Sequence, residues 1–525
     1  MHCSFCLCLR YYLRKVIKND IVYKLRNCFS GVEDTMSNTK ELKKQYRANR
    51  DQIRRRRKNL REEQKNLRQK YHLDRSLAKQ NPQEDFVTDE DYLAYSDKIS
   101  HSRNEEISWE KLDNSALMYP IITGEDMSNV YRMSATLKEE INPELLQRAL
   151  DVVLPKFPGF NSRLRQGMHW YYLEENGKPA PLVKKEDEFP CAYIDASRNR
   201  SYLFRVTYFR CRINLEVFHV LSDGTGALYF LKEIVYQYLR YLHPELQIKY
   251  GNDLTEGTTV SAKDMFQEFY DKKPLRPYRF QRAFLIPGSI LSGERVGIIH
   301  GYLKVDEVRE MAHSYQATIN ELIVSVLVYS IWQEYAKLIT PERPIVICVP
   351  VNLRPVFGVD TTKNFFVNIN AVFRPEKAEE ITFAEVIRQI KQSLREQTTR
   401  EELQNRLSTN VSTETNLLSR MVPMIFKNPV LKQIHKLSQK SITSTVTNIG
   451  LQTVAKPYQE YVDFINVVLA HAKGQPLKLS VSSYGDTIAV NVTSILRSTN
   501  IPQNIYRFFT EHDMEVKIST NGVYR

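Results

Sequence analysis

The order of hydrophobic and polar residues beyond position 108 predicts alternating strands and helices. The run VYRMSATL at 130–137 alternates apolar and polar side chains, which is typical of a half-buried β-strand. Apolar residues in 142–158 instead recur at helical spacing. Asn142 precedes this segment as a helix N-cap, and Pro143 occupies the first helical position. We therefore expect a strand followed by a helix at the start of a folded body.

The same alternation continues to the end of the chain, with an interruption at PGSILSG (287–293). Further strand and helix patterns lie at 160–175, 201–220, 226–242, 318–336, 343–353, 477–495 and 501–513. The two glycines and the proline of 287–293 mark a crossing between two parts of the body. The pattern predicts an α/β protein with mixed sheets, divided into halves at 108–288 and 289–525.

Residues 1–107 have a different character. The segment 37–80 contains no Gly or Pro and is rich in residues that favour helices. Its apolar positions Ile53, Leu60 and Leu67 are seven residues apart, which makes one stripe that is too thin for a buried face. We expect a basic extension over 1–85, helical or disordered, and a linker over 86–107.

The net charge of +13 belongs to this extension. Residues 1–80 hold 22 Lys and Arg against 8 Asp and Glu, so the other 445 residues hold 52 against 53. The near-neutral body argues against a dedicated nucleic-acid-binding protein. For the basic residues of 37–80 three interpretations stay open: a solvated segment, an anionic membrane surface as partner, or a nucleic acid as partner.

Cysteine content and hydropathy favour a cytoplasmic protein, either free or attached to a membrane periphery through its basic arm. No apolar run is long enough to span a bilayer, and the first residues make a poor signal peptide. The seven cysteines do not suggest a disulfide framework. Cys3, Cys6, Cys8 and Cys28 lack zinc-finger spacing, so no metal is expected. Residues 1–35 differ in character from those that follow, so the native chain starts at Met1 or at Met36.

The candidate catalytic residues lie in the segment LEVFHVLSDG (215–224). The chain contains no phosphate-binding loop, dinucleotide fingerprint, nucleophile elbow or H-E-x-x-H motif. His219 follows an apolar strand, Asp223 lies four residues later, and Gly224 marks a backbone position suited to positive φ. From these residues alone, the segment is a strand-to-helix turn, a pair of metal ligands, or a catalytic dyad in which Asp223 orients His219.

The motif HVLSDG resembles the His-x-x-x-Asp-Gly signature of the superfamily that includes chloramphenicol acetyltransferase, condensation domains and alcohol acetyltransferases. Four other segments resemble the alcohol acetyltransferase-like branch in the same order. They are WEKLDNSALMYP (109–120), LPKFPGFNSRLRQGMHWYYLE (154–174), VPVNLRPVFGVDTTKNFF (349–366) and TVTNIG (445–450). The resemblance covers roughly residues 108–525, with Thr447 where the family has serine.

The resemblance implies two chloramphenicol acetyltransferase-like α/β sandwich halves with a tunnel between them. His219 would be the general base, and Asp223 would pair with Arg354 in a structural role. Gly224 would give room for the donor. The resemblance also places Asn448 and Gly450 where the second half lines the tunnel.

The expected reaction moves an acyl group from an acyl-CoA or acyl-carrier thioester to the hydroxyl of a small-molecule acceptor. The thioester is a co-substrate, and we expect neither a bound cofactor nor a stable oligomer. Phe218 stands where condensation domains usually carry a second histidine, which favours ester formation over amide formation. Two alternatives stay open: an amide-forming condensation enzyme and a non-catalytic module of the same fold.

Overall fold

A computed structural model describes residues 109–124, 127–246, 251–272, 281–293, 295–375, 381–415, 422–472 and 474–524. The described residues belong to one compact body that begins at Trp109. The predicted extension, linker, cysteine cluster and alternative start Met36 lie outside the described residues. The two halves predicted for the body are part of one unit.

Fifteen strands are described, and their order alternates with helices as the sequence pattern predicts. The strands are β1 Trp109–Lys111, β2 Val130–Leu137, β3 Ser162–Gln166, β4 Tyr171–Glu175, β5 Lys184–Lys185, β6 Phe204–Phe209, β7 Arg212–Phe218, β8 Gly297–Lys304, β9 Ile345–Asn352, β10 Phe366–Phe373, β11 Ser444–Gln452, β12 Val462–Leu469, β13 Leu477–Tyr484, β14 Thr487–Ser494 and β15 Lys517–Thr520.

The principal helices cover the faces of the sheets. They are α1 Tyr119–Ile122, α2 Pro143–Val153, α3 Gly224–Leu242, α4 Met265–Glu268, α5 Val305–Ser314, α6 Ile319–Tyr335, α7 Arg354–Phe357, α8 Phe383–Arg395, α9 Arg400–Thr415, α10 Met424–Gln439 and α11 Asn500–Thr510. Within the described residues, no helix is long and apolar enough to cross a membrane.

The strands form three sheets. A five-stranded sheet has the order β12-β2-β7-β6-β5, a seven-stranded sheet has the order β10-β9-β11-β13-β14-β8-β15, and β1-β4-β3 make a small third sheet. Both large sheets are mixed, because β5 runs parallel to β6 and β11 runs parallel to both β9 and β13. This arrangement confirms the predicted α/β class.

The first half is built around β2, β7 and β6 with helices α2 and α3 packed on one face. Asn142 caps α2 by accepting bonds from the backbone N–H groups of Glu144 and Leu145. The helix is shorter than the predicted 142–158. It ends at Val153 because Pro155 cannot donate a backbone hydrogen bond, and a 3-10 turn continues the chain.

The second half contributes the crossover strand β12 to the sheet of the first half. β12 pairs antiparallel with β2, from Val462 opposite Leu137 to Leu469 opposite Tyr131. Ile465 and Val467 are buried in the core of the first half, while the apolar helix α6 is buried in the core of the second. The crossover strand therefore joins the two halves covalently and through a shared sheet.

Candidate active site

His219 lies just beyond the end of β7, where the two halves meet. The Tyr119 ring of α1 stacks on the imidazole at 4.7 Å, and the Tyr131 ring of β2 meets it edge-on at 5.0 Å. Phe366 of β10 approaches from the second half, with ring centroids 5.5 Å apart. Aromatic side chains from both halves thus confine the imidazole to one orientation.

The amide of Asn364 fixes the protonation of the His219 ring. The Asn364 amide nitrogen donates to Asp113 Oδ2 at 2.8 Å and to the His219 carbonyl oxygen at 3.1 Å. Since both partners are acceptors, the amide oxygen of Asn364 must face His219 Nδ1, at 3.0 Å. Nδ1 then carries the proton and donates it, which leaves the lone pair of Nε2 free to accept one.

The surroundings of His219 favour the neutral imidazole. Burial lowers the pKa of His219 below its ordinary value, and the nearby Lys478 cation lowers it further. The Asp223 carboxylate and the hydrogen bond to Asn364 act in the opposite direction without overcoming burial. A neutral imidazole with a free Nε2 can act as a general base.

Asp113 stabilises the orientation of Asn364 from the far side. Its carboxylate is only 2% exposed, and Oδ1 accepts a bond from the Ala116 backbone N–H at 2.9 Å. Burial raises the pKa of the Asp113 carboxyl to about 7, against the lowering effects of the Asn364 bond and the Lys363 cation. The chain Asp113–Asn364–His219 therefore joins a buried acid to the imidazole through one amide.

Asp223 and Arg354 form a bidentate ion pair. Arg354 Nη1 donates to Asp223 Oδ2 at 2.8 Å, and Nη2 donates to Oδ1 at 2.9 Å. Both side chains are buried. Asp223 Oδ1 also accepts from the Gly226 backbone N–H, so the same carboxylate caps α3.

This ion pair also places Asn364. Arg354 donates to the carbonyl oxygens of Thr361 and Lys363, and Asp223 Oδ2 accepts from the Phe365 backbone N–H at 2.9 Å. Asn364 lies between Lys363 and Phe365, so its backbone is held on both sides. The pair consequently positions the amide that orients His219.

The expectation of a positive φ at Gly224 is wrong. Gly224 is the first residue of α3 and does not lie in the left-handed region. A Cβ at this position would lie 2.9 Å from Met133 Cε, the end of a flexible side chain. The tighter glycine is Gly226, where a Cβ would lie 2.1 Å from the Thr362 carbonyl oxygen. Close packing, rather than backbone conformation, accounts for glycine in this turn.

Asn448 and Gly450 lie in an irregular part of β11 that faces the same turn. The pairing of β11 with β13 shifts register between Asn448 and Leu451, where Gly450 takes a φ of 71°. Asn448 Oδ1 accepts from the Gly450 N–H at 2.8 Å. Ile449, between them, lies 3.7 Å from the point that a Cβ on Gly224 would occupy. The structure thus brings this segment against the His219–Asp223 loop.

A separate cleft of about 1280 Å³ lies between the sheets of the two halves, and His219 does not line it. Its wall carries buried ion pairs, among them Arg132 with Glu216 at 2.8 Å. Arg132 also pairs with Glu186. The charges of this cleft pair with one another. We therefore place the candidate active site at His219 and not in the larger cleft. Within the described ranges, no three His, Cys, Asp or Glu side chains are grouped to hold a metal ion.

Among the residues around His219 that were not predicted from the sequence are Asp113, Tyr119 and Asn364. Each lies within a segment that resembles the superfamily, but nothing in its local pattern indicates contact with a histidine. Asn364 is 145 residues from His219, and Asp113 is 251 residues from Asn364. Their position in these segments was the available signal, and their contacts with His219 are visible only in the fold.

Comparison with known proteins gives similarity at the level of structure alone. No family model matches the sequence, and no curated protein matches it. The TRI3 trichothecene 15-O-acetyltransferase from Fusarium sporotrichioides superposes with a TM-score of 0.52 and 12% identity, over 76% of this chain and 94% of that one. F. graminearum TRI101, solved with coenzyme A and T-2 mycotoxin, gives 0.52 and 9% identity, over 78% and 99%.

A third similar structure is a nonribosomal peptide synthetase, FmoA3, with a TM-score of 0.50 and 15% identity. The match covers 78% of this chain and 45% of that longer chain. The chain has the chloramphenicol acetyltransferase-like fold. The predicted pair of α/β halves is thereby confirmed, whereas placement in the alcohol acetyltransferase-like branch stays a prediction.

Proposed function

We propose that the chain is an acyltransferase that moves an acyl group from a thioester donor to the hydroxyl of a small-molecule acceptor. The observation that carries this proposal is the orientation of His219. Its Nδ1 is engaged by Asn364, its pKa is lowered by burial, and its Nε2 is left as an unprotonated base. A similar fold in two acetyltransferases supports the same reaction class.

In this mechanism Nε2 of His219 accepts the proton of the acceptor hydroxyl as that oxygen attacks the thioester carbonyl. A C–O bond forms and the carbonyl oxygen takes the negative charge of a tetrahedral intermediate. When the intermediate collapses, the C–S bond breaks and the imidazolium returns its proton to the leaving sulfur. The products are an ester and a free thiol, and His219 is again neutral.

The other predicted site residues support this base without touching the reacting atoms. Asp223 and Arg354 hold the loop that places Asn364, through bonds that span the two halves. Gly224 keeps the turn free of a side chain beside His219. Asn448 and Gly450 would line the substrate space from the second half, in keeping with their position against this turn.

An acceptor hydroxyl is favoured over an amine by Phe218. This residue, at the end of β7, is 7% exposed and belongs to the core of the first half. A second histidine at this point would introduce a further ionisable group beside the base. An amide-forming reaction on the same fold is the second candidate, supported by the structural similarity to FmoA3.

Coenzyme A thioesters are the first donor class to test, because TRI101 was solved in complex with coenzyme A. The experiment is a screen of acyl-CoA donors of increasing chain length against alcohols and amines, with release of free thiol as the readout. Thiol release that depends on an alcohol supports the proposal. Release that depends only on amines would favour the condensation reaction, and no release with any donor, free or carrier-bound, would contradict acyl transfer.

A further inference from the structure

An exposed apolar surface lies on α10 and on the adjacent turn between β3 and β4. Its members are large hydrophobic residues, and each of them is more than two-fifths exposed to solvent. They are Met168, Trp170, Ile425, Phe426 and Leu437. We call this set the α10 surface. Clusters of exposed large apolar side chains mark contact sites for proteins or membranes.

Hydrogen bonds hold the two parts of the α10 surface together. The Met424 backbone N–H donates to the Met168 carbonyl oxygen at 2.9 Å, and Lys427 Nζ donates to the His169 carbonyl oxygen at 3.0 Å. Asn428 donates to the Tyr171 hydroxyl at 3.3 Å. The turn and the helix therefore present their apolar side chains as one fixed surface.

The charged residues of α10 all have one sign. Phe426, Val430 and Leu437 follow one another at intervals of four and seven residues, so they lie on one exposed stripe of the helix. The exposed residues Lys432 and Lys436 lie about 100° or more around the helix from this stripe, on the side of the exposed Ile425. No Asp or Glu occurs between Glu414 and Glu460 in the sequence.

We propose that the α10 surface docks onto a lipid bilayer that contains anionic headgroups. Exposed Trp, Phe, Ile and Met side chains at a helix whose charged residues are all lysines are the chemistry of an interfacial helix. The apolar stripe enters the boundary of headgroups and acyl chains, and Lys432 and Lys436 contact the anionic headgroups. A protein partner would have to present a surface that is both acidic and apolar. A second copy of the α10 surface does not meet this need, because none of its residues is acidic.

The location of the surface connects it with the candidate site. Helix α10 packs against α1, and Tyr119 of α1 stacks on His219. A bilayer contact through α10 would hold the junction of the two halves close to the lipid surface. Docking would depend only on the exposed apolar side chains and the lysines of α10, so it would occur whether or not the chain catalyses acyl transfer.

Flotation of the purified full-length chain with vesicles tests this inference. Vesicles of phosphatidylcholine with phosphatidylserine should bind the chain, and vesicles of phosphatidylcholine alone should bind it several-fold less. Ile425→Asp with Phe426→Asp should lower binding to the anionic vesicles about tenfold or more, because both side chains leave the apolar layer. Lys432→Glu with Lys436→Glu should lower it to a similar degree.

Leu338→Asp is the matched control, since Leu338 and Ile425 are each 56% exposed and lie on different elements. Far-ultraviolet circular dichroism and the melting temperature should be unchanged in all variants. Binding that is equal in the Ile425→Asp, Phe426→Asp variant and in Leu338→Asp would overturn the inference and assign binding to the basic extension. Concentration-dependent dimerisation that the double variant abolishes would assign the surface to a second copy and overturn it too.

Discussion

The amide oxygen of Asn364 lies 3.0 Å from Nδ1 of His219, although 145 residues separate the two along the chain. The Asn364 amide nitrogen is committed to Asp113 and to the His219 carbonyl oxygen, so this oxygen has one orientation. The position of a single amide therefore decides which nitrogen of the imidazole can accept a proton.

Replacement of Asn364 tests this relationship. Asn364→Ala should lower kcat/KM roughly tenfold to a hundredfold. This loss is smaller than the roughly 10²- to 10⁴-fold that a general base contributes, because the base itself is still present. The reason is that the imidazole keeps its place against Tyr119 but loses the acceptor that fixes its tautomer. Asn368→Ala, at an exposed position of β10, is the control. Equal activity in the two variants would show that the amide does not orient the base.

The pH dependence of kcat/KM should show the lowered pKa of His219. The base works only when it is neutral, so activity should fall as the pH drops through a value below the ordinary imidazole pKa of 6.5. Lys478→Met removes a cation that lowers the His219 pKa, and the acid limb should move to higher pH.

Asp113 also titrates in this region, since its pKa is about 7. The Asp113→Asn variant separates its titration from that of His219. An acid limb that stays in place in Lys478→Met but moves in Asp113→Asn would assign the limb to Asp113 instead of His219.

The buried pair of Asp223 and Arg354 should contribute mainly to stability. Asp223→Ala leaves the Arg354 guanidinium buried without its carboxylate and should lower the free energy of unfolding by about 3–5 kcal/mol. In Asp223→Ala with Arg354→Met neither charge is left alone, so the double variant should lose less than the sum of the single variants. Urea denaturation of the three variants measures this coupling, and simple additivity would count against the pair.

The two glycines after Asp223 should differ in their tolerance of alanine. A Cβ at Gly226 would collide with the Thr362 backbone, which cannot yield, so Gly226→Ala should destabilise the chain by about 1–3 kcal/mol or more. A Cβ at Gly224 meets only the end of Met133, so Gly224→Ala should cost less. Gly177→Ala, with open space around it, is the control for thermal melting. A more severe loss at Gly224 than at Gly226 would contradict this packing argument.

The local pattern of apolar and polar residues predicts most strands and helices of the fold. The alternation of 130–137 predicts β2, and Asn142 with Pro143 predicts the start of α2, because strand alternation and helix capping depend on neighbouring residues. The strands of 477–495 form the predicted hairpin. The helical spacing continues to residue 158, whereas α2 ends at Val153 because Pro155 has no backbone N–H to continue the helix.

Other features depend on residues far apart in the chain. The pairing of β12 with β2 joins residues more than 300 positions apart, and no periodicity within either strand indicates it. The motif HVLSDG drew attention to His219 and Asp223, whereas Asn364 and Asp113 reach the site only through the folding of both halves. Strand β15 after the closing helix was likewise not predicted, since its four residues are all exposed.

The role of His219 as the base is tested by the acyl-transfer rate of His219→Ala, measured with the donor and acceptor that the thiol-release screen identifies. Donor affinity and melting temperature are measured on the same preparation. We predict that kcat/KM falls by about 10²- to 10⁴-fold while donor affinity and melting temperature stay close to those of the unmodified chain. Turnover within a few-fold of the unmodified chain would contradict the assignment of His219 as the general base.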